Sequence, residues 1–339
     1  MLAVVLAAGA QSADAAREYV AFRLDGDHVI AVFKTFMADE HPKIEPPAAP
    51  GRPQFGFDPF EPPASWLKQV RSLPRVGDRW RVHAGPGFAV DGVAERIVGG
   101  QPACESAIGM LVRIVPEHAN VFAATKARYY VAQPGSAVAS SSSDPGALGF
   151  ATDHSIDTTR RKEVDRLLTE LLKREHPKVR GESEAVFARV APHANAEGLA
   201  RAREWSVMED ALAAGSGVLK YDVQAIRLTR EEPAVLFVRA QWLIGGKQAF
   251  AATVWIKGGD TPEIADANVK PASWLRMHEF RGRIAQVHLG LVLNVLDRDG
   301  DGQGEVLFAQ GGYEGLGISL LEYSTSGMVP QGVEYSYGC

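Results

Sequence analysis

The stretch from residue 218 to residue 256 reads VLKYDVQAIRLTREEPAVLFVRAQWLIGGKQAFAATVWI, and its reading decides the fold class. Three runs rich in β-branched and aromatic residues, Val218 to Leu228, Ala234 to Ile244 and Gln248 to Ile256, are separated by Arg230-Glu231-Glu232-Pro233 and by Gly245-Gly246-Lys247. One connection ends in proline and the other is built on glycine, so each turns the chain back within a few residues, and the three runs form an antiparallel meander. Trp242 and Trp255 are taken as its core and edge aromatics.

The same pattern extends in both directions. Arg17 to Phe36 alternates apolar and polar residues around Asp25-Gly26, a pair suited to a tight turn, which makes Glu18 to Leu24 and His28 to Phe36 a hairpin. Further strands are expected at Asp78 to His83, Phe88 to Val98, Ile108 to Val115 and Val121 to Val131, the last two parted by Pro116-Glu117-His118. Beyond the meander, a polar loop around Asp260 to Asn268 precedes strands at Ile284 to Leu296, Val306 to Gln310 and Ile318 to Tyr323. The expected fold class is mainly β, with antiparallel sheets arranged as a sandwich, a barrel or part of a propeller.

One amphipathic helix stands out over 157–176. Asp157 is its candidate cap, and Val164, Leu167, Leu168, Leu171 and Leu172 form an i, i+3, i+4, i+7, i+8 stripe that Pro177 is expected to end. Its Arg160-Arg161-Lys162 run is taken as a solvated face. Ala196 to Ala214 also admits a helix. The expected organisation is an N-terminal β domain over 17–133, a linker over 134–156 that is poor in large apolar side chains, and a C-terminal β-rich domain over 157–339. Eight prolines between Pro42 and Pro63 make 42–63 a long loop inside the first domain, and its Phe55, Phe57 and Phe60 are expected to tack it down.

Composition narrows the function classes. With 36 basic against 41 acidic residues and a net charge of -5, the chain has no surplus to neutralise nucleic acid or an anionic bilayer. No run of eighteen apolar residues is present, which excludes a helical membrane span. Residues 1–16 carry an apolar run, Leu2 to Ala10, followed by the small-x-small triplets Ala8-Gly9-Ala10 and Ala13-Asp14-Ala15. This is the pattern of the back half of a secretory signal, and it predicts a secreted, periplasmic or cell-envelope protein whose mature chain begins near Arg17. Export would place the two cysteines, Cys104 and Cys339, where an even pair tends to join.

One motif carries chemistry. Asp297-Arg298-Asp299-Gly300-Asp301-Gly302-Gln303-Gly304-Glu305 sets acids at loop positions 1, 3, 5 and 9, with glycine at 6. Hard oxygen ligands at that spacing wrap a calcium ion: the first three side chains converge, the glycine permits the sharp turn, and the Gln303 carbonyl sits at position 7. No histidine or cysteine joins the set, which disfavours zinc. An ordinary EF-hand would carry a bidentate Glu at position 12, where this chain has Phe308, and the flanks are strand-like. The calcium loop 297–305 with its flanking Val295-Leu296 and Val306-Leu307-Phe308 resembles the calcium-binding hairpin loop of FG-GAP and VCBS repeats, found in integrin-type propellers and many exported bacterial proteins. The resemblance covers about thirty residues and one copy. It implies a structural Ca2+ held by Asp297, Asp299, Asp301 and Glu305, with Gln303 through its carbonyl.

Enzyme signatures are missing from the sequence. There is no His-Glu-x-x-His, no Gly-x-Ser-x-Gly and no phosphate-binding Gly-x-x-x-x-Gly-Lys-Ser/Thr run. His278, Glu279 and His288 fit neither one helical face nor a ligand pair, and Glu314 is only a loose candidate beside the calcium loop. The expectation is therefore an exported bacterial binding or cell-envelope module for a protein or glycan ligand. The alternative is a secreted hydrolase with a structural calcium.

Overall fold

The computed structural model describes residues 17–36, 59–68, 70, 73–85, 88–100, 106–125, 127–135, 150–151, 156–190, 192, 196–229, 231–271, 290–299, 301–311, 315–324 and 327–338. The apolar segment 1–16, residues 42–58 of the proline-rich loop, 136–149 and 152–155 of the expected linker, residues 284–289 and both cysteines lie outside them. The described chain is mainly β, in three antiparallel sheets.

The first sheet closes on itself. Strands β1 (Tyr19–Asp25), β2 (His28–Phe36), β3 (Arg79–Gly85), β4 (Phe88–Gly100), β5 (Ser106–Ile114) and β6 (Tyr129–Pro134) form a barrel in the order β1-β2-β5-β4-β3-β6. Gly26 takes φ +46° in the turn between β1 and β2, as the Asp25-Gly26 pair requires. Side chains then alternate by the two-residue period of a strand. Ala21, Ala31, Trp80, Val82, Met110, Val112 and Tyr130 fill the interior together with Phe122 of α2 (Pro116–Ala124), while Val20, Phe22, Ile30, Val32, Leu111 and Val131 form the outer apolar face. Gly109 is forced by space, because a Cβ there would lie 2.6 Å from the Ala31 carbonyl oxygen. The end of the proline-rich loop is tacked to the barrel as expected: Phe60 pairs with Gly99, and Phe60 stacks edge-on against Trp66 of the short helix α1 (Ala64–Leu67) at 5.6 Å.

The other two sheets build a stack on that outer face. The five-stranded sheet runs β11-β10-β9-β8-β7, from β7 (Phe150–Ala151), β8 (Val218–Ile226), β9 (Val235–Ile244), β10 (Lys247–Lys257) and β11 (Glu263–Pro271). The four-stranded sheet runs β12 (Leu291–Leu296), β13 (Glu305–Gly311), β14 (Gly315–Ser324) and β15 (Gly327–Gly338). Leu296, Leu307, Ala309, Ile318, Leu320 and Val333 of this second sheet meet the barrel, whereas Val295, Val306 and Phe308 meet Ile226, Phe237 and Trp255 of the five-stranded sheet. Helices α3 (Thr158–Val190) and α4 (Ala196–Ala213) cover the far face of the five-stranded sheet with Leu167, Leu168, Leu171, Met208 and Leu212. The layers are thus helices, five-stranded sheet, four-stranded sheet and barrel.

The meander, the first hairpin and both helices lie where the sequence places them, with four differences. Val121 to Val131 is not one strand: Pro116 stands at the first turn of α2, where its missing N–H costs nothing, and only Tyr129 onward is extended. Helix α3 starts at the Asp157 cap, whose Oδ1 accepts from the Arg160 N–H at 2.8 Å, but it passes through Pro177 to Val190. Pro177 is exposed, so its ring meets no packed neighbour, and buried His176 and Val179 hold the helix to the sheet on either side. The polar stretch from Glu263 is a strand because it pairs along β10. Trp255, expected at an edge, is buried between the two sheets.

One buried acid gives this architecture a pH signature. Glu209 on α4 is 5% exposed, and burial, opposed by Arg180 and reinforced by Glu184 and Asp210, pushes its carboxyl from 4.5 up to about 7. The native state then keeps a proton that the unfolded chain releases, so Glu209's contribution is complete below pH 4.5 and is lost as the pH rises through 7. Glu209→Gln is expected to raise the melting temperature at pH 8 and to flatten the fall in stability between pH 4.5 and 7. Thermal denaturation across that range checks it, and an unchanged slope counts against it.

Candidate metal centre

The hairpin between β12 and β13 is where the acids meet. The strands pair antiparallel down to Leu296 opposite Glu305, and the intervening residues are Asp, Gly, Arg and Gln, none of which favours extended pairing. Gly302 takes φ +87° with open space around it, so glycine is needed there for backbone angle alone. Gly304 is needed for closeness: its N–H donates to the Leu228 carbonyl at 2.5 Å, and a Cβ would sit 3.0 Å from Val295 Cγ1. The Gln303 side-chain amide donates to the Tyr323 carbonyl at 2.7 Å, so the loop is fastened both to β14 of its own sheet and to Leu228 beyond the end of β8.

Asp297, Asp299 and Asp301 each offer a carboxylate oxygen, and these oxygens lie within 4.8 Å of one another. Asp297 is half-buried and the other two are exposed. Local hydrogen bonds shape the turn, with the Asp301 N–H donating to Asp299 Oδ1 at 3.3 Å and the Gln303 N–H to Asp301 Oδ1 at 2.7 Å. Three hard oxygens without thiolate or imidazole suit a hard cation, whose coordination carbonyls and water would complete.

Glu305 is not part of that converging group. It opens β13 in the same alternating row as Leu307 and Ala309, which puts it against the barrel at 4% exposure. There its Oε2 accepts from the Arg298 N–H at 2.9 Å, and Arg298 Nε stands 3.6 Å from Oε1. Burial, offset in part by Arg298, pushes the Glu305 carboxyl up to about 7.

Arg298 and its surroundings are functional context that the sequence does not expose. Its guanidinium donates to Glu18 Oε2 at 3.1 Å, an ion pair spanning 280 positions that ties the loop to the start of the barrel. Close by, His83 is fully buried, and burial together with the positive Arg81 and Arg298 lowers its imidazole to about 4. The alternation of acids around Arg298 is the one hint in the sequence, since a lone cation in such a run invites a distant acid. Nothing marks Glu18 as that acid. His278, Glu279, His288 and Glu314 lie outside the described residues.

No protein-family model, curated protein or solved structure matches this chain. The site therefore stands on its own chemistry.

Because Arg298 joins Glu18 and Glu305 in a partly buried position, removing it leaves two acids short of their partner. A double-mutant cycle with Arg298→Met and Glu18→Gln, read by denaturant unfolding, is expected to return a coupling energy of roughly 0.5–3 kcal/mol. Additive effects would show that the ion pair does not hold the loop to the barrel.

Proposed function

We propose that this chain is an exported bacterial calcium-binding protein, in which a structural Ca2+ bound by the 297–305 hairpin stiffens the junction of the two sheets and the barrel. The observation that carries this reading is the convergence of Asp297, Asp299 and Asp301 on a hairpin whose flanks are paired strands. That arrangement is also what supports the resemblance to FG-GAP and VCBS loops. Gln303, through its carbonyl, remains the further member of the proposed set, whereas Glu305, the fourth acid of the motif, is turned to Arg298 and supports the loop from behind. The ion would supply charge that relieves repulsion among the acids, and it carries no chemical step.

Such a protein acts as a binding or cell-envelope module whose partner is a protein or glycan. Among the described residues no helix is long and apolar enough to cross a membrane, so the reading includes no helical span. Export is checked by the intact mass of the chain recovered from its host, with cleavage near Arg17 expected and a retained 1–16 segment counting against it.

Calcium binding to the native state alone should add about 2.7 kcal/mol of stability at a hundredfold excess over Kd. Calcium titration followed by calorimetry and thermal melts is expected to show one saturable site, a gain removed by Asp299→Ala, and a smaller response to magnesium. Identical melts with calcium and with chelator would overturn the proposal.

A further inference from the structure

We propose that the cleft where α3, the end of α4 and strands β8 and β9 meet is a binding site for a monocarboxylate with an apolar tail. The cleft measures about 400 Å³, within the range of small-molecule sites, and lies in a different layer from the acidic hairpin. Its apolar wall is Leu172, Leu212, Leu219 and Trp242, of which Leu212 and Trp242 are buried. Its other wall carries Lys173 and His176, and among the described residues no acidic side chain lines it.

The cleft is open because of the turn that links α4 to β8. Gly215 at φ +79° and Gly217 at φ +132° build that turn as bare backbone, and a Cβ on Gly215 would meet nothing within 4 Å. Hydrogen bonds from the turn cap three carbonyls near the end of α4: Asp210 accepts from Ala214 at 3.0 Å, Ala211 from Ser216 at 2.9 Å, and Leu212 from Gly215 at 3.0 Å.

The opposite wall favours an anion. Arg174 and Lys178 are paired with Glu175, whereas Lys173 makes no ion pair among the described residues and stands exposed at the rim. His176 is 7% exposed and stacks edge-on against Phe250 at 6.2 Å, so its ring is packed into the wall of the cleft. An apolar floor with one cation, Lys173, at its edge and no acid among its described lining residues is complementary to a carboxylate on a short alkyl or aryl body, with the tail against Trp242.

The probe is octanoate, with 1-octanol as its uncharged counterpart, titrated by calorimetry into the full chain. Lys173→Glu and Ala213→Trp both alter exposed cleft residues, and their melting curves establish that each variant folds. The expected result is one saturable octanoate site, weakened about fivefold by Lys173→Glu and abolished by Ala213→Trp, with octanol indifferent to Lys173→Glu. Absence of saturable octanoate binding, or binding that Ala213→Trp leaves intact, overturns the site. Equal affinities for octanoate and octanol, both indifferent to Lys173→Glu, overturn its assignment to a carboxylate.

Discussion

The constraint on which the rest of the molecule depends is the burial of the four-stranded sheet on both of its faces. A sheet with one wet face needs only alternating apolar residues, but β13 carries Val306, Leu307, Phe308 and Ala309 in succession, and all four are buried. Odd and even positions therefore need separate partners. The barrel's outer face supplies one and the five-stranded sheet the other, so apolar strands from the start and the middle of the chain are brought onto a single C-terminal layer. A slip of one residue along β13 would exchange both sets of contacts at once, which makes its register strongly specified.

The polar hairpin at the end of this central sheet inherits its position from that burial. Because β12 and β13 are clamped from both sides, the loop between them is held against Leu228 of one neighbour and Glu18 of another. Arg298 then serves two acids, one inside its own loop and one on β1's approach, while burial raises the Glu305 carboxyl to about 7 and lowers the His83 imidazole to about 4. Charge is concentrated on the exposed side of the loop, where Asp299 and Asp301 face solvent, and is screened or neutralised on the buried side.

Where local patterning and tertiary packing agree, the sequence is readable. The meander from Val218, the Asp25-Gly26 hairpin and the stripe from Val164 to Leu172 carry period and turn chemistry together, and each forms the expected element. Where they conflict, packing decides. Pro177 is tolerated because buried neighbours anchor α3 on both sides of it, and the polar run from Glu263 becomes a strand because β10 offers it a ladder. Strand β15 is hidden for a related reason: Pro330 interrupts its pattern, yet the strand lies at the sheet's edge, where a missing N–H is tolerated.

The sequence by itself determined the β class, the helical stripe and the spacing of Asp297, Asp299 and Asp301, because each depends on residues close together along the chain. Only the tertiary structure decided that one sheet closes into a barrel, that the last four strands lie between two layers, and that Glu305 turns to Arg298 instead of joining the three aspartates. It likewise decided that Arg298 meets Glu18 and that Lys173 and His176 share a cleft with Trp242. The physical reason is the same in each case. Periodicity states which face of an element is apolar but not what will cover it, and pairings across hundreds of residues follow from how the covered faces fit together.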